Sequence, residues 1–412
     1  MEKNYFGAIE FGSLNINILI LSYYQNKLDV VASTSVLSSG YNNGEIVDVD
    51  AFDISIKNAL ESIKDRYKIN PNELILVLPN NNHKVYSAFV SNKVLTERQI
   101  IGKQQVDSIR NQIKGAKVNE GELLVDEVPT LYSLDNDRHL RTAPIDQRSS
   151  ILAIKSNVHT LPKSMVENLN NALIKNKVEV IGQIINCNCG VRATLTNFEL
   201  ENECIHVNIG QEVTTISAFY KNILIKSTQI KFGIESLIIY LAHTLKIDKD
   251  FAYELIKSYF VCDVDYANDV IFNEELNLSE KRISGILLNR LYNAFNEILD
   301  TANSLVENCK FSSDYFICVT GLLNDYQFFI DEFSKYSSLN IKEGSKDIVG
   351  IDSQSFINCY GAIVSFISLN PDYVKARLES EEDIDLTSDE TEKTVIIEKD
   401  NVATKFKDIF ED

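Results

Sequence analysis

The sequence YFGAIEFGSLNINILIL at residues 5–21 and the sequence CIHVNIGQEVTTISAFY at residues 204–220 share one pattern. Each contains an apolar run, a short turn with a glycine, and a second largely apolar run, which is typical of two strands joined in a hairpin. A third strand candidate follows each pair, at residues 27–35 and 223–229. One such pattern alone is more often an ordinary hairpin. Its repetition predicts a long-period duplication of one supersecondary unit.

The segments around the two units alternate between strand patterns and helix patterns. Apolar runs predict further strands at 74–78, 178–185 and 316–320, and the polar stretch after residue 80 adds short strands near 123–128 and 151–154. Helical spacing of apolar residues predicts helices at 50–67, 96–114, 162–175, 190–196, 236–245, 249–259, 278–307 and 357–369. Strands that alternate with helices indicate an α/β fold.

The length of 412 residues favours more than one domain. We predict a first domain core from residues 1–80, 162–200 and 345–373, with an inserted subdomain at 81–161. The second domain core is predicted from residues 201–233 and 314–344, with a helical subdomain at 234–313. Acidic composition after residue 373 predicts a solvated linker at 374–400, and apolar character returns in a tail helix at 401–412.

The net charge of −19 argues against a broad basic face for nucleic acid. Neither a signal-peptide pattern nor an apolar run of the ~20 residues needed for a membrane span is present, so we expect a protein inside the cell. The seven cysteines do not form a disulfide framework. Cys187 and Cys189 are either small buried hydrophobic residues or metal ligands, and without a second pair at zinc spacing we assign no metal site.

A duplicated strand–turn–strand unit brings two hairpins face to face across a cleft. Backbone N–H groups in each turn can cradle phosphate, and a nearby carboxylate can hold hydrated Mg²⁺. Small residues in the turn let the backbone approach the phosphate oxygens.

The residues of these turns resemble the motifs of a known superfamily. Ala8-Ile9-Glu10-Phe11-Gly12-Ser13 resembles the first phosphate motif of the actin/Hsp70/sugar-kinase superfamily, and residues 207–216, VNIGQEVTTI, resemble the second. Val319-Thr320-Gly321-Leu322-Leu323 stands where the adenosine motif is expected. Within the superfamily the chain is most similar to the bacterial cell-division protein family FtsA, through residues 44–48, GEIVD, and the pair Glu254 and Lys257. The resemblance covers residues 5–370 and the tail.

The resemblance implies an actin-like (ribonuclease H-like) duplicated two-domain fold with an inserted FtsA-type subdomain. It also implies ATP with Mg²⁺ as the cofactor. The residues that it assigns to nucleotide binding are Glu10, Gly12, Ser13, Asn208, Gly210, Thr214, Gly233, Glu254, Lys257 and Gly321. We assign no catalytic residue.

Several residues depart from the usual motifs of the superfamily. Glu10 and Asn208 replace aspartates, Gln211 and Glu212 replace two glycines, and Thr215 replaces a closing aspartate. The adenosine motif keeps one glycine of three. An amide cannot replace a carboxylate beside Mg²⁺, and an extra carboxylate repels phosphate. We therefore expect ATP binding to be weak or absent and hydrolysis to be very slow or lost.

The tail carries one apolar stripe. Val402, Phe406, Ile409 and Phe410 fall on the same face of a helix, with charged residues on the other faces. Such a helix can lie in a membrane interface, or it can dock on the protein's own surface or on a partner. The FtsA resemblance implies the membrane-targeting role.

The same resemblance implies a function. We expect an actin-like adaptor that polymerises and tethers FtsZ, the tubulin-like division protein, to the cytoplasmic side of the membrane at the division site. FtsZ would contact the helical subdomain. Two alternatives stay open: a working ATPase or kinase of the superfamily, and a soluble actin-like scaffold for pilus or secretion assembly.

Overall fold

The computed structural model describes residues 4–96, 98–135, 137–312, 314–344, 350 and 353–385. The chain begins with an antiparallel meander, a helix and a buried strand. These elements are β1 (Tyr5–Phe11), β2 (Asn15–Tyr24), β3 (Lys27–Leu37), β4 (Tyr41–Asn42), β5 (Glu45–Ile46), α1 (Val49–Tyr67) and β6 (Glu73–Leu78). Asp48 caps α1, because its side chain accepts hydrogen bonds from the N–H groups of Asp50 and Ala51.

The inserted segment forms its own four-stranded sheet, in the order β7-β10-β8-β9, covered by one helix. Its elements are β7 (Lys84–Lys93), α2 (Lys103–Lys114), β8 (Glu122–Leu134), β9 (His139–Leu140) and β10 (Ile151–Pro162). The helix predicted at 96–114 is wrong in its first turns. Gly102 is the N-cap of α2, and Ile100 before it forms a β-bridge with Arg148, which holds this stretch extended.

The chain then returns to the first sheet and enters the second unit. The first part comprises α3 (Lys163–Lys175), β11 (Glu179–Ile185), α4 (Asn186–Thr194) and α5 (Asn197–Leu200). The second unit contains β12 (Glu203–Ile209), β13 (Thr214–Tyr220), β14 (Ile223–Ile230), α6 (Ile234–Leu245), α7 (Lys249–Tyr259), α8 (Glu280–Cys309), β15 (Phe316–Gly321), α9 (Phe329–Ser334) and β16 (Ile341–Glu343). The last described helices are α10 (Ile357–Leu369) and α11 (Pro371–Asp385).

The two large sheets have the same topology. The first has the strand order β3-β2-β1-β6-β11 and the second the order β14-β13-β12-β15-β16. In each sheet the first three strands are antiparallel, and the remaining two run parallel to the first strand of the unit. The duplication and the α/β fold class predicted from the two hairpin patterns are therefore confirmed.

Both faces of the first sheet are buried. On β1, Ile9 and Phe11 belong to a core shared with α1 and α3, whereas Phe6 and Ala8 point to a core shared with α10. A strand buried on both sides has to be apolar at nearly every position, which explains the continuous apolar runs in the sequence.

The linker predicted from residue 374 is wrong in its first part, because α11 extends through Asp385. Val374 is fully buried, and Leu378 packs against the same core as α10. The Arg377 guanidinium donates to the Glu73 carboxylate at 2.7 Å and lies 5.3 Å from the centre of the Phe6 ring. These contacts anchor a helix whose composition is otherwise acidic.

The rest of the predicted linker, 386–400, and the predicted tail helix at 401–412 lie outside the described residues. In the part of the chain that the structure describes, none of the helices is both long enough and apolar enough to cross a membrane.

A substitution of Gly361 tests how closely α10 and α4 approach each other where they cross. A Cβ at this position would lie 1.9 Å from the carbonyl oxygen of Cys189, so the two backbones can approach only because the side chain is absent. We expect Gly361→Ala to lower the free energy of unfolding by about 3 kcal/mol, measured by urea denaturation. Gly285→Ala on α8 is the control. Its Cβ would have Val264 Cγ1 as the nearest atom, at 3.9 Å, and we expect a gain of up to ~1 kcal/mol. Equal stability of the two variants would contradict the close crossing.

Candidate functional site

A cleft of about 650 Å³ lies between the two halves of the molecule and is lined by residues of both glycine turns. In the first turn the Gly12 N–H donates to the Asn15 carbonyl at 2.9 Å. In the second the Gly210 N–H donates to the Val213 carbonyl at 3.0 Å. The two turns therefore have equivalent geometry and face the same space, as the duplication predicts.

Ser13 of the first turn lies near Glu212 of the second turn. Burial raises the pKa of the Glu212 carboxyl group and the Ser13 side chain lowers it in smaller measure, whereas Ser13 Oγ accepts the Asn43 N–H at 3.0 Å. Glu212 stands at a turn position where the superfamily usually has glycine. The place where a phosphate would meet the second turn is thus next to a carboxylate.

Most of the residues predicted for nucleotide binding lie together. The cleft is lined by Glu10, Gly12, Ser13, Asn208, Gly210, Lys257 and Gly321. Their role in nucleotide binding stays a prediction.

The remaining three predicted residues, Thr214, Gly233 and Glu254, lie elsewhere. The Thr214 hydroxyl is buried and donates to the Phe232 carbonyl at 2.8 Å. Gly233 lies against the second turn, since a Cβ there would be 2.3 Å from the Gln211 carbonyl oxygen. Glu254 is exposed on α7, one turn before Lys257. These residues support the walls of the cleft or point away from it.

Gly321 is the one glycine kept from the adenosine motif, and the structure gives a reason. Its φ of +107° is unfavourable for other residues, and a Cβ would lie 2.2 Å from the Ile209 carbonyl oxygen. Gly321 pairs with Ile209 where β15 and β12 end together at the cleft. The glycine is thus required by the sheet itself.

Glu10 stands where the first phosphate motif usually has an aspartate, and burial disfavours its ionised form. Burial raises the pKa of Glu10 from 4.5 to about 7, although Asn358 Nδ2 donates to its Oε1 at 2.7 Å. Near neutral pH the group is therefore often protonated. Such a carboxyl group is a poor magnesium ligand, because a hard cation requires the ionised form.

The charge of the cleft does not fit a triphosphate. Glu10, Glu212, Glu280 and Asp325 line it, and Lys257 is the sole basic residue among the described lining residues. Burial raises the pKa values of Glu212 and Asp325 as well. Within the described ranges no group of acidic, histidine or cysteine residues has the arrangement of a metal site. The residues present therefore do not fit Mg-ATP on the phosphate side.

The sequence reasoning missed several residues of the cleft. Asn17 and Asn358 contact Glu10. Tyr41 lies near the carboxyl groups of Glu10 and Glu212. The Asp325 carboxylate accepts the Ser353 hydroxyl at 3.1 Å. The asparagines did leave a signal, because each is a polar residue within an otherwise apolar strand or helix. Asp325 follows a short apolar stretch after β15, and no feature of the sequence pattern identifies it as a residue of the cleft.

Comparison with solved structures identifies the class of fold. A PilM–PilN type IV pilus biogenesis complex matches with a TM-score of 0.58 and 14% identity, over 89% of this chain and 98% of that one. The ethanolamine utilization protein EutJ from Carboxydothermus hydrogenoformans matches with a TM-score of 0.51 and 11% identity, over 87% of this chain and 89% of that one. MreB5 of Spiroplasma citri bound to AMPPNP matches with a TM-score of 0.50 and 12% identity, over 92% of this chain and all of that one. The protein therefore has the actin-like fold.

Comparison of sequences narrows this class. The cell division protein FtsA of Staphylococcus epidermidis is 21% identical over 314 residues, which are 74% of this chain and 67% of the relative. FtsA of Streptococcus pneumoniae is 21% identical over 216 residues, and FtsA of Agrobacterium fabrum is 23% identical over 219. These two matches cover 52% of this chain and about half of each relative, 47% and 48%. No protein-family model matches the chain. The protein is a divergent, FtsA-like member of the actin-fold class, and the resemblance stated from the motifs is confirmed.

The pKa of Glu10 predicts a pH-dependent effect of its substitution. Between pH 4.5 and about 7 the folded protein keeps a proton that the unfolded chain releases, so this group lowers stability as the pH rises through that range. We expect the stability of Glu10→Gln relative to the natural protein to increase by up to about 3 kcal/mol between pH 4 and pH 8. Urea denaturation at both pH values measures the difference.

The exposed Glu61 of α1 provides the control, since Glu61→Gln removes the same charge outside the cleft. Its effect should be nearly the same at both pH values. A pH-independent effect of Glu10→Gln would show that the carboxyl group ionises normally in the folded protein.

Proposed function

We propose that the protein is a cell-division adaptor that polymerises and tethers FtsZ to the cytoplasmic face of the membrane at the division site. The observation that carries this proposal is the match to FtsA over 314 residues of a chain with the actin-like fold. The order of the motifs and the position of the inserted subdomain support it further.

An exposed apolar surface supports a partner site on the helical subdomain. Val270, Ile271 and Phe272, here called the apolar ridge, are 69%, 51% and 41% exposed in the connection between α7 and α8. The ridge is held in place by Phe272. The centres of the stacked Phe272 and Tyr259 rings are 4.0 Å apart, and the backbone N–H of Phe272 donates to the Leu278 carbonyl at 2.9 Å. We assign it to the binding of an FtsZ peptide with apolar side chains.

The membrane contact is assigned to the tail. Val402, Phe406, Ile409 and Phe410 form the apolar stripe there, outside the described residues. Each large apolar side chain contributes ~1.5–3 kcal/mol when buried, part of which is offset by the cost of ordering the helix. A single tail therefore binds reversibly, and a polymer that presents many tails binds firmly. Self-assembly of the body is for this reason part of the proposal.

Nucleotide turnover is not part of the proposed function. The cleft carries carboxylates where phosphate would lie, and the ionised form of Glu10 is disfavoured. We expect isothermal titration calorimetry to show Mg-ATP binding weaker than about 100 µM, with no phosphate release above background. Glu212→Gly, which restores the usual residue of the turn, should tighten binding at least about tenfold, since like-charge repulsion is removed. Stoichiometric micromolar binding by the natural protein would contradict this prediction and favour the alternative of a working ATPase.

Liposome co-sedimentation of purified FtsZ tests the adaptor directly. We expect FtsZ to pellet with vesicles that contain anionic lipid when the full-length protein is present. It should stay in the supernatant with a version that ends at Asp400, because the apolar stripe is then removed. Recruitment by the shortened version would show that the anchor lies elsewhere.

The apolar ridge is tested in the same assay. Val270→Asp should leave the protein on the vesicles but reduce the pelleted FtsZ at least about tenfold, as expected when a charge is placed in an apolar contact. Val49→Asp is the matched control, since this valine on α1 is similarly exposed, at 63%. If neither protein pellets in any arm, the membrane and division proposals both fail. A soluble actin-like scaffold is then the better description.

A further inference from the structure

The inserted sheet has one face that packs on α2 and one that is open to solvent in its outer part. Ala88 and Val90 of β7 and Leu152 and Ile154 of β10 belong to the core shared with α2. Side chains alternate between the two faces along a strand. The residues that alternate with these four therefore point away from α2.

Two cross-strand pairs on the open face each combine a large apolar side chain with a cation. Phe89 lies opposite Lys155, and Ile151 lies opposite Lys93, in a stretch of the ladder without a bulge. Phe89 and Ile151 are 65% and 39% exposed, and both lysines are exposed as well. These four residues are here called the basic face.

The same pattern continues beyond the regular strands. The two segments stay paired past the basic face, because the Val94 N–H donates to the Ser150 carbonyl at 2.9 Å. Further on, Ile100 forms a β-bridge with Arg148, and both of these residues are exposed. A third pair of an apolar residue and a cation thus adjoins the basic face.

The cations of this surface are not neutralised by ion pairs within the described part of the chain. β7 and β10 contain Lys84, Lys93 and Lys155 but no aspartate or glutamate. Lys93, Lys155 and Arg148 take no part in the ion pairs found among the described residues. In a chain with a net charge of −19, such a surface indicates an anionic partner.

The composition of the tail favours lipid as that partner. Residues 401–412 contain two lysines and three acidic residues, so the apolar stripe brings no net positive charge to a membrane. A body as acidic as this one is repelled by anionic lipid. Stable attachment takes two signals, such as an apolar anchor together with a basic patch. The tail supplies the first signal and the basic face the second.

The tail starts from a helix that contacts the inserted subdomain. Lys103 at the start of α2 is ion-paired with Asp372 at the start of α11, with 2.7 Å between Nζ and Oδ2. α11 ends at Asp385. Residues 386–400, which connect it to the tail, can span at most ~50 Å. The tail and the basic face can therefore reach the same membrane.

We infer that the basic face is a second membrane contact that binds anionic lipid. Lys93 and Lys155 pair with the phosphate groups of the lipid, and Phe89 enters the boundary between headgroups and acyl chains. This contact rests on the membrane role proposed for the tail. It is too small to hold the protein alone. Together with the tail it gives a preference for anionic lipid and determines which side of the body faces the membrane.

Tryptophan fluorescence reports contact of the basic face with lipid. The natural chain has no tryptophan, so Phe89→Trp in the full-length protein gives a single signal. We expect its emission maximum to shift to shorter wavelength when vesicles of equal parts phosphatidylglycerol and phosphatidylcholine are added. Phe198→Trp on α5 is the control, since Phe198 is 81% exposed outside the inserted subdomain, and its emission should not shift. Unchanged emission of Phe89→Trp on vesicles that bind the protein would overturn the inference.

Charge reversal measures the electrostatic part of the contact. Lys93→Glu combined with Lys155→Glu should weaken binding of the full-length protein to the same vesicles at least about tenfold, because two attractions become repulsions. Lys64→Glu combined with Lys281→Glu is the matched control, since it changes the net charge equally at exposed lysines of α1 and α8. We expect the control to weaken binding less than about threefold, because salt screens charges that lie far from the lipid. Thermal unfolding of each double variant verifies the fold.

Co-sedimentation of the protein without FtsZ separates this contact from the adaptor proposal. If the natural protein pellets and the two double variants bind equally well, the basic face is not a lipid contact and the tail remains the anchor. If reversal of Lys93 and Lys155 leaves vesicle binding intact but lowers the amount of FtsZ recruited, the face binds a protein instead. If the natural protein does not pellet at all, the membrane part of the adaptor proposal is wrong together with this contact.

Discussion

The two glycine turns, one from each half of the duplicated fold, face the same cleft, with Ser13 of the first turn near Glu212 of the second. Each turn follows the first strand of its unit, β1 or β12. A movement of one sheet relative to the other therefore changes the distance between the two turns. In this protein the side chains of Ser13 and Glu212 line the space between the turns, so the position of one turn relative to the other determines the chemistry of the cleft.

Hydrogen bonds join the two halves of the molecule at two places. The Asp325 carboxylate accepts the Ser353 hydroxyl and the Gln354 N–H, each at 3.1 Å. On the far side, Ser227 of β14 is hydrogen-bonded to Asn80 at 3.1 Å and to His83 at 2.8 Å. Burial lowers the pKa of His83 to about 3, so this ring stays neutral over the physiological range. Each bond contributes ~1 kcal/mol, and together they stabilise the observed arrangement of the two halves.

Much of the fold could be predicted from the sequence, because strands buried on both faces have to be apolar and α10 is apolar over its whole length. The failures have a common physical cause. α11 is held by Val374, by Leu378 and by the contacts of Arg377, and none of these is visible in its acidic composition. The start of α2 is decided by a bridge between Ile100 and Arg148, which are far apart in sequence. At the site, Glu10 and Glu212 could be identified from the motif. Asn17 and Asn358 are visible in the sequence as polar residues in apolar elements, but their position beside Glu10 is not, since only folding brings them there.

Hydrogen bonds between the two halves of the molecule are consistent with the proposed role as an adaptor. A tail with few large apolar residues binds a membrane firmly only when many copies act together, and many copies assemble regularly only when each has the same shape. The hydrogen bonds of Ser227 and Asp325 join the two halves of each copy directly, so they favour one shape of the body. The proposed use of many tails and the proposed lack of nucleotide turnover are then compatible.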